Sequence, residues 1–507
     1  MRRSSRLTVG LAGAAVFLAA CGTRLPNSAF PELNPGGVAL PGASAGPSAT
    51  ATVPGAVGPS RGALVPGAPG TSGVPGLTAT GGPGRGSGRA PGGIPDYASD
   101  IGVSANTIDI GIIASKTNPF DPNAFTGPEA GAITFFENLD AHGGVDGRDV
   151  VWHTCDDQGQ GSENQACVSQ LIGTDKIFAL NATAVLSYAG AAYVNSHGVP
   201  DIGGQPVDTS FDTYRHLYSI YGSDEPRNDT TPGFHGYLYN GTEQYRYFHL
   251  EYDTHVAGVV YYNQADSQRF AGAIEDGLKA EGYQVYPERI NFALPDYDSA
   301  VLDMASHHVD IVFDTLDRGG NENLCRSMDQ NHLYVKAKVT TTQGWVDSIR
   351  QDFSDAPHCR NTIFAAGTSR NFEDTQYPEV AAFRAAAARF HEDNPELMSE
   401  WEYEGWLSAQ WLTDAIASCG ANLTRRCVEA YMNRPVDYDA HGGFSSANRN
   451  FIRRTRAPSM IFDCVNIARW EDSADGGLGG WITQPAIGQP RKGFSCFTVH
   501  YVPYPAS

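Results

Sequence analysis

After residue 20 no uninterrupted apolar run approaches 18 residues, so no membrane-spanning helix is expected in the remaining sequence. CxxC pairs and Cys/His zinc spacings are missing, which argues against a metal cluster. HExxH and P-loop motifs are absent, and from residue 96 on there is no GxSxG. Zincin, nucleotide-cradling and nucleophile-elbow chemistries therefore have no motif to carry them, and neither catalysis nor a cofactor is expected. Positive charge is scarce: 35 Lys and Arg stand against 56 Asp and Glu, for a net charge of −21. Residues 1–95 hold seven arginines and one glutamate, so the body from 96 on carries −27. Nucleic-acid phosphates need Lys and Arg, and so acidic a body excludes that partner. Bulky residues are nearly missing between 22 and 95, a stretch of Gly, Pro, Ala, Ser, Thr and Val that cannot bury a core.

What is present begins with a basic segment (Arg2, Arg3, Arg6) and an apolar run from Leu7 to Ala20. This layout predicts a secretory signal peptide over 1–20, too short to span a membrane. Leu18-Ala19-Ala20-Cys21-Gly22 resembles the bacterial lipobox, which implies cleavage before Cys21 and lipid on its thiol. The chain is thus expected outside the cytoplasm, held to a cell membrane by a lipid anchor. Residues 21–95 form a disordered tether in this reading, with a root-mean-square reach of roughly 45–50 Å. Eight further cysteines remain, at 155, 167, 325, 359, 419, 427, 464 and 496. An even count in an exported chain suggests disulfides; 105 pairings are possible, and the simplest joins sequence neighbours.

The body, 96–507, alternates short apolar runs with helical segments. Thr107–Ile113, Asp149–Thr154 and Ile177–Leu180 read as strands; Gly127–Leu139, Gly161–Ile172 and Ala184–Ser196 read as helices. A second series follows, with strands at Val256–Tyr262, Gln284–Ile290, Asp310–Asp314 and Lys338–Thr342. Its helices are Gln268–Glu281, Ser299–His307 and Asn321–Gln330. Glu379–Cys419 is mostly helical, and Met460–Val465 and Phe494–Val502 are strands. Two such series predict an α/β fold of two parallel-sheet lobes.

Several segments then carry a family likeness: Gly102–Ile113 as an opening strand, Cys155-Asp-Asp-Gln-Gly159 with Cys167, Gly198-Val-Pro-Asp-Ile202, Glu275–Gly282 and Val309–Phe313. In this order they resemble the type I periplasmic binding proteins, closest to the leucine/isoleucine/valine-binding branch. That resemblance implies two doubly wound lobes joined by three crossovers, a cleft between them, and an ABC permease as partner. It places lobe one at about 100–223 and 367–450, and lobe two at about 224–366 and 451–507. The implied activity is capture of a small polar solute (an amino acid, amide or related molecule) by a monomer that closes like a hinge. A ligand-sensing receptor on the same fold is the alternative.

The resemblance also nominates the site. Asn181, Ala182 and Thr183 follow a strand at an expected helix start, where free backbone N–H groups suit a carboxylate. Gly204 and Gln205 follow the next strand. After the strand ending at Thr342, where amino-acid binders of this branch carry a carboxylate, this chain has Gln343, then Gly344 and Trp345. Asp266 and Asp317 are candidates for the missing acid, and Arg318 for clamping a second acidic group of the ligand. The segment Trp401-Glu-Tyr403 is expected to place an aromatic against the ligand, with Tyr403 as the choice, and Lys116–Phe120 is a further candidate.

Overall fold

A computed structural model describes residues 97–118, 123–390, 398–445, 447 and 449–506. The expected signal segment, Cys21 and the tether 21–95 lie outside the described residues, as does Phe120. No helix among the described residues is long and apolar enough to cross a membrane.

Among the described residues, fourteen strands form two sheets. β1 (Thr107–Ala114), β2 (Asp149–Asp156), β3 (Ala179–Asn181), β4 (Asp201–Gly204) and β5 (Leu217–Ser219) build an all-parallel sheet in the order β2-β1-β3-β4-β5. β6 (Tyr237–Gly241), β7 (Val256–Tyr262), β8 (Gln284–Ile290), β9 (Ile311–Asp314), β10 (Ala337–Thr340) and β11 (Ile363–Gly367) belong to the second sheet. So do β12 (Met460–Glu471), β13 (Gly480–Thr483) and β14 (Ser495–Pro505). Its parallel part runs β8-β7-β9-β10-β11, the same order as the first sheet, and an antiparallel ribbon β12-β14-β6 continues from β11. The β-branched runs make the buried strands: Ile108, Ile110, Ile112 and Ile113 are fully buried in β1, as are Val259 and Val260 in β7. Helices on both faces satisfy such two-sided burial, as in other parallel sheets.

The chain leaves each sheet and returns to it. Helix Glu400–Cys419 comes after β11 of the second sheet yet packs on β4 of the first and along helix Gly127–Asp140. Those two helices touch at backbone distance. A Cβ on Gly131 would stand 1.7 Å from the Glu402 carbonyl oxygen, and one on Gly405 2.2 Å from that of Pro128. Among the described residues, four disulfides join sequence neighbours: Cys155–Cys167, Cys325–Cys359, Cys419–Cys427 and Cys464–Cys496.

One expected helix starts late. Ala184–Ser196 is helical only from Ala191. The Ala184 N–H donates to Ile113, Ser115 N–H donates back to Ala184, and Leu186 N–H is taken by the Ser115 hydroxyl. These bonds hold the chain extended beside the end of β1, so Asn181–Ala184 is not a helix N-terminus.

Candidate functional site

In a doubly wound sheet the crevice lies outside the carboxyl ends of the strands, where the strand order reverses. Here that point falls between β1 and β3 in one sheet and between β7 and β9 in the other. Residues beyond both points border one cavity of about 660 Å³. Asn118, Phe125, Gln205 and Tyr221 reach it from the first sheet, and Tyr262, Asp266, Asp317, Thr342 and Gln343 from the second. Hydrogen bonds tie the sides together, among them the following pair. The Gln343 amide donates to the Ala124 carbonyl at 3.2 Å, and the Trp401 indole N–H donates to the Thr342 hydroxyl at 3.1 Å.

Of the residues nominated from the sequence, Gln205, Asp266, Asp317 and Gln343 border this cavity. Gln205 donates to Glu404 at 2.9 Å and accepts from the Tyr221 hydroxyl at 3.2 Å. Asp317 also caps helix Arg318–Gln330, accepting from Gly320 N–H at 2.7 Å, and receives the Tyr262 hydroxyl at 3.1 Å. Asp266 pairs with Arg269 at 3.2 Å; burial raises the proton affinity of its carboxyl despite that arginine.

The other candidates lie elsewhere. The Asn181 amide is fully buried and donates to the Ile202 carbonyl and to Ser408, holding β4 against helix Glu400–Cys419. Ala182 and Thr183 are buried beside it and do not border the cavity. Gly204 packs under Phe211. Arg318 turns to Asp352 and Glu322 and borders a separate small pocket. Trp345 is core, 5.8 Å from Trp481, and Tyr403 is core, 5.1 Å from Phe383. The aromatic that reaches the cavity from this helix is Trp401, 5.5 Å from Phe125.

Sequence reasoning missed the groups that set the cavity's charge. Asp212, Asp224, Glu225, Glu243 and Asp463 join Asp266 and Asp317 in its wall, against Arg269 and Arg449. Burial, and then Glu225 nearby, push the Asp212 carboxyl up to about 8. Burial and Asp463 raise Glu243 well above the carboxylate range. Arg449 is 1% exposed, and burial brings it down to about 10. It donates to the carbonyls of Ile220 and Ser445 and lies 3.7 Å over the Phe444 ring. Behind Gln205 and Tyr221, the buried carboxylate of Glu404 accepts from both and from Ser369 at 3.1 Å; burial raises its proton affinity too.

A family model described as periplasmic binding protein matches residues 107–476. The chain belongs to this family. A search of curated proteins gives no match. Similar solved structures include a fatty acid ABC transporter substrate-binding protein from Thermomonospora curvata. It is 16% identical, with 76% of this chain and 94% of that one covered and a TM-score of 0.58. A branched-chain amino acid transporter substrate-binding protein from Streptococcus pneumoniae, in complex with isoleucine, is 14% identical; coverage is 75% and 100%, and the TM-score 0.55. An ABC transporter solute-binding protein from R. palustris, in complex with benzoate, is 14% identical; coverage is 78% and 98%, and the TM-score 0.56. At these identities the likeness is one of fold, and the three proteins differ in what they bind. A periplasmic binding protein is a substrate-binding protein, and membership implies an extracytoplasmic location.

Proposed function

We propose that this periplasmic binding protein captures a small polar solute for an ABC permease. In this reading it is a monomer without catalytic turnover or cofactor. Capture is by hinge closure of a lobe at about 100–223 and 367–450 on one at about 224–366 and 451–507. The supporting observation is the cavity of about 660 Å³ bordered by loops beyond both sheets' reversal points, with polar side chains from each. Thermal unfolding of the full-length chain against amino acids, amides, amines, polyols and dicarboxylates tests it. A solute at 100 times its dissociation constant adds roughly 2.7 kcal/mol of stability. No shift from any class refutes solute capture; a shift in a protein that associates with a signalling or cell-envelope protein and not with a permease favours the ligand-sensing receptor. The lipid anchor at Cys21 belongs to the same proposal: Cys21→Ala releases the protein from membranes, and unchanged retention refutes it.

A further inference from the structure

The cavity wall formed by the ribbon β12-β14-β6 and the crossing before β6 is both acidic and aromatic. Glu243 Oε2 and Asp463 Oδ2 both lie within 3.2 Å of the point where a Cβ on Gly241 would stand, so glycine there leaves room for two carboxylates. Glu243 Oε2 is buried and has no hydrogen-bond partner. Asp224 is 5% exposed; it meets Arg454 at 3.0 Å, while its Oδ1 is buried without a partner. Glu225 accepts from Ser223 at 2.7 Å and from Tyr501 at 3.4 Å. Tyr501 in turn stacks on Tyr239, centroids 5.1 Å apart.

Four arginines stand near these carboxylates: Arg269 and Arg449 in the wall itself, and Arg227 and Arg454 beside it. Arg269 donates to the Val207 carbonyl and Asp266. Arg454 is on Asp224, and Arg227 lies over the rings of Tyr218 and Phe451 at 4.9 and 4.7 Å. The seven carboxylates of the wall outnumber these arginines, and an excess of buried carboxylate is costly. An entering cation relieves both their burial and their mutual repulsion, and tyrosine faces add attraction for it. An inorganic ion is the poorer fit. Among the described residues no group of three His, Cys, Asp or Glu could hold a metal, and the cavity has the volume of an organic molecule. Two of the amides that suit a ligand carboxylate in the sequence reading are consumed. Ala182 N–H donates to Ile202 and Ala184 N–H to Ile113, and neither residue borders the cavity.

Resting on the solute-binding reading, we propose that the solute is an organic cation, an amine or quaternary ammonium without a carboxylate, whose charge sits among Asp212, Glu225, Glu243 and Asp463. Calorimetric titration of the full-length chain with putrescine and choline, and with leucine and benzoate as comparisons, tests this. At least one of the two cations binds. In the double variant Glu243→Gln, Asp463→Asn its affinity falls at least tenfold. The unliganded variant unfolds at no lower temperature than the parent, because neutral amides lift the repulsion; this separates lost binding from lost fold. Binding of leucine or benzoate without either cation overturns the charge class and leaves solute capture standing. Cation binding untouched by the double variant overturns the placement. Silence from all four probes overturns the inference, and the wider solute panel then decides solute capture separately.

Discussion

Lys338 and Asp314 form an ion pair at 2.8 Å with both side chains fully buried, between β10 and the end of β9. Asp314 also accepts from Leu316 N–H at 3.1 Å and from the Asn321 amide at 3.0 Å. The pair thus anchors the turns that carry Asp317 and Thr342 to the cavity. Replacing Lys338 by Met keeps the volume and strands the carboxylate. Breaking a buried pair on one side typically costs about 3–5 kcal/mol. The stranded group has one escape, which is to take up a proton. Holding an ordinary aspartate neutral costs about 4 kcal/mol at pH 7 and about 1.5 kcal/mol at pH 5. The loss in Lys338→Met is therefore capped near 4 kcal/mol at pH 7 and shrinks by about 2.5 kcal/mol at pH 5. Urea midpoints with matched slopes at the two pH values measure it. The double variant Lys338→Met, Asp314→Leu recovers most of the loss, since apolar replacement of a whole buried pair is often neutral. An equal loss at both pH values refutes the charge argument and leaves only packing.

Two further perturbations follow from the geometry. Gly131→Ala drives a Cβ into the Glu402 carbonyl oxygen, where helix backbone cannot give way, and a loss of about 2–3 kcal/mol is expected in urea unfolding; a change under 0.5 kcal/mol refutes the close contact. Burial acts to raise Asp472, but hydrogen bonds from Arg360, Asn361 and Trp470 outweigh it and bring the carboxyl down to about 2. A depressed carboxyl stabilises the fold above its unfolded value near 4, and that contribution fades as pH falls from about 4 to 2. Asp472→Asn accordingly costs about 2 kcal/mol at pH 7 and only about 0.4 kcal/mol at pH 2, read from thermal unfolding across that range.

The parallel strands were legible because their apolar runs are long enough to stand out: Thr107–Ala114 and Val256–Tyr262 match the sequence reading within a residue. Strands β5, β6, β11 and β13 were not read at all. Each has only three to five residues, too short for an apolar pattern to stand out, and β6 also pairs with a partner far along the chain. In the site, the positions just beyond strands were legible, which is why Gln205, Asp266, Asp317 and Gln343 meet at one cavity. Tyr403 failed through helix geometry. Two residues on a helix point about 200° apart, so a helix that turns Trp401 to the cavity must turn Tyr403 into the core. Glu243 and Asp463 were invisible for another reason: they stand 220 positions apart and meet only because β14 joins β12, which carries Asp463, to β6, which ends just before Glu243.

That placement of β14 has a consequence for the order of assembly. β14 is the last strand in sequence among the described residues, yet it is interior to the sheet, paired with β12 on one side and β6 on the other. β6 is made more than 250 residues earlier and has no other sheet partner. Until residues 495–505 arrive, β6 waits unpaired and β12 presents an open edge, and such long-range closure is slow. A chain threaded across a membrane from its N-terminus therefore cannot seal this sheet prematurely. The step that completes the second sheet is also the step that brings Tyr501 to the cavity wall, so a chain stalled before it lacks part of that wall.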